Sequence, residues 1–195
     1  MKKYLFAFLL LTLIQFNGCD LLQTRQAERP ESERSEYVLA TTPQQLFRNL
    51  VAAFRERIVK NYEICFVDTS FLKRDYKFIP SAGSVVKYNV LADWDVQAEV
   101  QYFTNLISKA RQGEPIIVTL ENEVSSPQGD SAQYSFDYKI TIPVDDKDIP
   151  KEYRGSSQFK INLDANNQWV ITEWQDIQKE NFPSWSELKG RFYLQ

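Results

Sequence analysis

Asp68, Asp75, Asp93 and Asp137 are the side chains through which this chain could move a proton, because its 195 residues include no histidine. That absence removes Ser-His-Asp and Cys-His catalysis, histidine-ligated zinc and haem held by a proximal histidine. A carboxylate can still act as general acid or base once burial lifts its pKa toward neutrality. Each of the four also reads as a turn, a cap or an exposed strand position, and Asp137 alternates outward on its strand, so no catalytic residue is assigned. Asp145-Asp146-Lys147-Asp148 offers oxygen ligands of the kind calcium takes. Lys147 and Pro150 interrupt the spacing and the nearest glycine is Gly155, so a solvated loop and no metal are expected there. Six glycines, no two closer than Gly113 and Gly129, leave no phosphate-cradling loop, and no cofactor is expected.

The side chains that could enclose a ligand are Leu50, Phe54, Tyr102, Tyr134, Phe136, Tyr138, Phe159, Trp169 and Trp174. They could line a cavity for a small apolar ligand or equally fill a core. The tyrosine tips hint at a wet interior, because a buried phenol needs a partner. Cys65 lies in the apolar run Ile64-Cys65-Phe66 and reads as a small buried hydrophobe.

The elements that must position these residues follow from period. Thr42-Pro43-Gln44-Gln45 is a helix opening with an N-cap, a proline at the first helical position and a capping-box glutamine. Leu46, Leu50, Phe54 and Ile58 then recur every four residues, with Phe47 and Val51 widening the stripe and Arg48, Arg55, Glu56 and Lys60 opposite. A short helix is expected around Asn61 to Phe66, an extended segment over Ser70 to Pro80, and a turn at Ser81 to Ser84. Asp95 caps a third helix to about Ala110, with Val96, Val100, Phe103 and Ile107 as its stripe and Leu106 beside it.

From Gly113 the period becomes two. Ile116, Val118 and Leu120 alternate with polar or outward residues, and a turn at Ser125 to Asp130 is expected to follow. Tyr134, Phe136, Tyr138, Ile140 and Ile142 form the next strand, then Phe159, Ile161 and Leu163 after a polar loop from Asp145 to Gly155. The last strand holds Trp169, Ile171 and Trp174; keeping all of them inside requires a bulge near Thr172 and Glu173. Ser184 to Gly190, with Trp185 and Leu188, is expected to fold back as a cap. The fold class is α+β, a curved antiparallel sheet wrapped around N-terminal helices.

That layout, the Trp169-x-Ile171-x-x-Trp174-x-Asp176 closing strand and the Asn61-x-x-x-x-Phe66 break after the first helix resemble the nuclear-transport-factor-2-like superfamily, the cone fold shared with ketosteroid isomerase and scytalone dehydratase. The resemblance covers Tyr37 to Gln195 and implies a pocket between the first helix and the concave sheet. Ketosteroid isomerases place a tyrosine on the first helix, and none stands between Pro43 and Lys60. Asp75 falls near the region of their aspartate base, with Lys73 and Arg74 crowding it, and the dehydratase type leans on histidine. Neither mechanism carries over. The alternative is a histidine-independent acid–base enzyme, isomerase or dehydratase in type, using a pocket carboxylate and a tyrosine. Members of the superfamily also dimerise through the outer sheet face, which leaves a homodimer open, with Tyr138 or Trp174 turned outward.

The N-terminus carries an address. Lys2 and Lys3 precede an apolar run from Tyr4 to Ile14, shorter than the ~20 residues a membrane-spanning helix needs. Phe16-Asn17-Gly18-Cys19 then resembles the lipobox of bacterial lipoproteins. The resemblance implies residues 1–18 as a removable signal, Cys19 as the lipidated first residue, attachment to the membrane through that lipid, and a place in the bacterial cell envelope with the domain outside the cytoplasm. In enteric bacteria Asp20 would resemble an inner-membrane retention mark. Losing Lys2 and Lys3 leaves 21 basic against 26 acidic side chains. A net negative chain with no basic run is a poor nucleic-acid ligand. Residues 19–36, rich in charge and without aromatics, are expected to be a solvated tether, and residues 37–195 the domain.

Overall fold

Thr42 opens the first helix as expected: its hydroxyl accepts from the Gln45 backbone N–H at 3.2 Å, and Pro43 takes the first helical position. The computed structural model describes residues 35–179 and 181–194. Among them α1 runs Pro43–Glu56 and stops where Arg57 turns left-handed at φ 58°. The break leaves Ile58 outside the helix, as the cap of α2, Val59–Glu63. The expected extended segment from Ser70 to Pro80 shrinks to β1, Lys77–Ile79, because Asp68 accepts from Ser70 and closes the preceding residues into turns. The turn expected at Ser81 is instead the start of α3, Ala82–Lys87, followed by a 3-10 turn, Asn89–Asp93. Asp95 caps α4, Val96–Lys109, by accepting from the Ala98 N–H at 2.8 Å.

Four long strands follow: β2 Ile117–Gln128, β3 Ser131–Thr141, β4 Glu152–Leu163 and β5 Trp169–Gln178. β2 continues through the residues read as a turn, and only Gly129-Asp130 reverse the chain; Gly129 sits at φ 64°, a region open to glycine. β4 likewise starts three residues before Gly155, inside the segment read as a polar loop. The sheet order is β1-β5-β4-β3-β2, antiparallel except that β1 lies parallel to β5. The bulge expected in β5 is present. Lys160 faces Glu173 and Ile161 faces Ile171, so Thr172 is the extra residue and Trp174 and Asp176 stay on the inner face. A second irregularity in β2 has Asn122 at φ 54°, with its amide donating to Asp137 at 2.8 Å. The tail forms α5, Trp185–Tyr193, capped by Ser184 and packed against α4.

The curved sheet and its helices make a mixed α+β cone. Tyr138 and Trp174 both point into it, 4% and 0% exposed, which corrects the expectation of an outward turn at either of them. Bulge and alternation place them there: Tyr138 shares parity with Tyr134 and Phe136. Residues 34–195 form a compact unit of their own. The signal read at residues 1–18, Cys19 and most of the tether lie outside the described residues. Where description begins, Ser35 accepts from the Asn61 amide and Glu36 pairs with Arg55.

Candidate functional site

The inner face of the cone is where a ligand would be held. Leu50 and Phe54 of α1, Tyr102 of α4, and Tyr134, Phe136, Tyr138, Phe159 and Trp174 of the sheet are all buried, and Trp169 is half-buried. The rings lie against one another. Phe47 meets Phe136 at 4.8 Å and Phe159 at 5.2 Å between centroids, Phe159 meets Trp174 at 4.9 Å, and Trp174 meets Trp185 at 4.5 Å edge to face. These geometries are those aromatic pairs prefer in a packed core. Trp169 lies apart from them at the start of β5, where its N–H donates to the Ala40 carbonyl.

Within the aromatic packing stands a polar set that sequence reasoning missed. Glu99 on α4 and Lys189 on α5 form an ion pair in which neither side chain is exposed at all. Tyr62 donates to Glu99 Oε2 at 2.8 Å and Tyr76 to Oε1 at 2.6 Å. The ammonium lies 3.6 Å from the Trp174 ring centre and 3.7 Å from that of Phe78. Cation–π attraction is worth most when the cation is stripped of water, as it is here. A second carboxylate, Asp176 on β5, accepts from Tyr138 Oη at 2.7 Å and from the Ser186 backbone N–H at 2.7 Å. Tyr138 Oη in turn accepts from the Trp185 N–H at 2.7 Å, so Asp176 and Tyr138 together anchor the first turn of α5. Gly155 leaves room for that phenol: a Cβ there would lie 2.4 Å from Tyr138 Oη and 2.6 Å from the Ile177 carbonyl.

Burial pushes the Lys189 pKa down to about 8, against the pull of Glu99 in the other direction. Burial first, and then the negative charge of Glu99, hold Tyr62 and Tyr76 protonated well above the usual tyrosine range; Tyr138 is held up by burial and by Asp176. The two effects have opposite signs. Between pH about 8 and 10.5 the unfolded chain binds a proton on Lys189 that the folded chain has released, so stability rises with pH. Above pH ~10 the unfolded tyrosines lose protons that the folded ones keep, so stability falls. Urea unfolding from pH 7 to 11 should therefore show a maximum near pH 9 to 10. The rising limb should vanish in Lys189→Met, and its persistence there would assign it to another group.

The four aspartates of the sequence reading lie elsewhere. Asp75 and Asp93 are exposed. Asp68 is exposed too, and the Ser70 N–H lowers its pKa. Asp137, on the outer face, is held down to about 2 by hydrogen bonds from Lys179, Asn122 and Ser156. Asp145 pairs with Arg111, and Asp146 accepts from the Asp148 N–H. The Cys65 thiol is buried and its pKa is raised by that burial, which keeps it an unreactive thiol.

At the edge of the cone a groove of about 730 Å³ runs between α1 and the edge strand β2. Phe47, Val51 and Ala52 of α1 and Val118, Leu120 and Phe136 of the sheet line it. Arg48 and Arg55 stand along the helix rim, with Glu123 on the strand rim and Glu36 and Val38 where the described chain begins. Asn49 fixes that lip by donating to the Val38 carbonyl at 2.6 Å.

No family model matches the sequence and no curated protein is matched by it. Solved structures do match. The fold is that of the nuclear-transport-factor-2-like proteins. A Streptomyces avermitilis protein of that family, named provisionally as a dehydratase, superposes with a TM-score of 0.54 at 8% identity, over 70% of this chain and 93% of its own. A nuclear-transport-factor-2-like protein from Cytophaga hutchinsonii gives 0.52 at 12% identity, over 70% and 94%. A superfamily protein from Salmonella enterica gives 0.52 at 10%, over 70% and 89%. At such identities the likeness describes the backbone and leaves the chemistry to this chain's own residues.

Proposed function

We propose that this chain is a bacterial envelope lipoprotein, anchored through lipid on Cys19, whose cone is a non-catalytic binding module working through the groove between α1 and β2. The observation that carries the non-catalytic reading is the state of Glu99. It is wholly buried, and its oxygens are engaged by Lys189, Tyr62 and Tyr76 inside packed rings, so a substrate has no room to reach it. A histidine-independent isomerase or dehydratase would need a carboxylate within reach of substrate, and Asp176, the other one inside the cone, is also buried and taken up by Tyr138 and Ser186. The groove, by contrast, has the size of a small-molecule site, an apolar floor and a few polar groups on its rim. The outer sheet face is polar, with Gln133, Ser135, Gln158, Lys160 and Glu173 across it, which favours the groove over self-association as the working surface.

The anchor is tested by expressing the full chain in a bacterium, fractionating the envelope and weighing the N-terminal peptide. The expected product starts at Cys19 and carries acyl chains, and Cys19→Ser leaves the membrane fraction unlabelled by fatty acid. A soluble product cut at another position, or a Cys19→Ser protein that still takes up label, would sink the lipoprotein reading.

A further inference from the structure

Resting on that groove reading, we infer that the groove binds a single-chain fatty carboxylate, with the hydrocarbon on the Phe47–Val118–Leu120–Phe136 floor and the head group on Arg48. The floor comes from both walls, so an alkyl chain lying along it would be covered from the helix and from the strand. Burying such a chain removes each of its methylenes from water, a gain that no polar ligand would recover from this floor.

The charge of the head follows from α1. Gln44, Arg48 and Arg55 stand four and seven residues apart, a spacing that puts them on one row of the helix facing the groove. Arg55 already holds a carboxylate there: the side chain of Glu36, whose backbone N–H is itself tied to Glu56 at 2.8 Å. The groove thus shows what one of its two guanidiniums takes. Arg48, exposed and two turns back along the same row, has no ion-pair or hydrogen-bond partner among the described residues, and a planar guanidinium is built for a carboxylate. Glu123 on the opposite rim carries the other charge; it repels an anion lying against β2 and so directs the head to the helix side. The position of the groove agrees with a ligand of lipid chemistry. Glu36 and Val38, on its lip, are the residues through which the chain leads back toward Cys19.

The test uses residues 34–195 and three ten-carbon ligands below their micellar concentrations: decanoate, decanol and decyltrimethylammonium. Calorimetry and native mass spectrometry should show one decanoate bound at least tenfold more tightly than decanol, with the ammonium weakest. Arg48→Glu, an exposed change checked by an unaltered melting curve, should lose at least tenfold for decanoate while leaving decanol as it was. Val118→Trp should weaken all three by filling the floor. Equal binding of decanoate and decanol, or tighter binding of the ammonium, would overturn the head-group assignment and leave the groove as a binding site. Binding of a lysophospholipid but not decanoate would overturn the free acid in favour of membrane lipid. If none of these ligands binds, the groove reading itself fails.

Discussion

Lys189→Met is expected to lower the unfolding free energy by about 3–5 kcal/mol, the cost of leaving one member of a buried ion pair alone. Methionine fills much of the lysine's volume, so the loss is electrostatic rather than a cavity. With the ammonium gone, Glu99 either keeps a charge inside an aromatic box or takes up a proton. Tyr62 and Tyr76 still donate to it, which limits the cost without removing it. The double variant Lys189→Met, Glu99→Gln should recover at least half of the loss, because the neutral amide oxygen still accepts a phenol and no charge is buried. Glu99→Leu would be a poorer partner, stranding two phenols at about 1–3 kcal/mol each. A cycle over the singles and the double, in urea at pH 7, isolates the pairwise coupling. If Lys189→Met lies within about 1 kcal/mol of the parent, water reaches the pair and the occupied-interior argument against catalysis falls with it.

The same pair shows where sequence reading stops. On α4 the expected stripe is Val96, Val100, Phe103 and Ile107 with Leu106 beside it; Phe103 and Leu106 are buried, Val96 and Ile107 are partly so, and the buried face turns toward Ala98, Glu99 and Tyr102. Hydrophobic periodicity assigns a glutamate to solvent by default, so the stripe leaves out Glu99, the residue at the centre of the buried face. Lys189 was lost for the same reason on α5. The strands fared better because alternation is strict: the β5 bulge followed from needing Ile171 and Trp174 on one face. Asp176, two residues past Trp174, falls on that inner face by the same count, and buried tyrosines signal that acceptors must be somewhere inside. The helix-to-strand layout was legible in the sequence and so was the cone, whereas the early end of α1 and the late start of β1 were not. A left-handed Arg57 and an Asp68 turn are local hydrogen-bonding choices that no period records. The groove is a space between two elements, and although Arg48 and Arg55 were rightly set on the open side of α1, nothing in their spacing says that β2 lies opposite.

Trp174→Ala is expected to cost about 3–5 kcal/mol, near the upper end for a buried aromatic. Trp174 is where the separate parts of the interior meet. Its ring packs on Phe66, Phe78, Phe159 and Trp185, its indole N–H donates to Ser157 at 3.0 Å, and its face carries the Lys189 ammonium at 3.6 Å. Truncation therefore removes packing, a buried hydrogen bond and one wall of the cation's box together, and neighbouring strands held by the bulge cannot close over the space. Trp174→Phe should cost less, about 1–3 kcal/mol, because the cation keeps a ring and only Ser157 is stranded. The cavity left by Trp174→Ala should bind indole, whose face would restore the cation contact, and added indole should raise the variant's Tm while leaving the parent's unchanged. Denaturant midpoints and thermal melts with and without indole check both statements. An alanine variant that loses stability and ignores indole would mean the interior has collapsed, and that its rings are less rigidly held than their packing implies. A variant that responds to indole would show that this cone is closed by its own side chains, and that opening it takes only the removal of one of them.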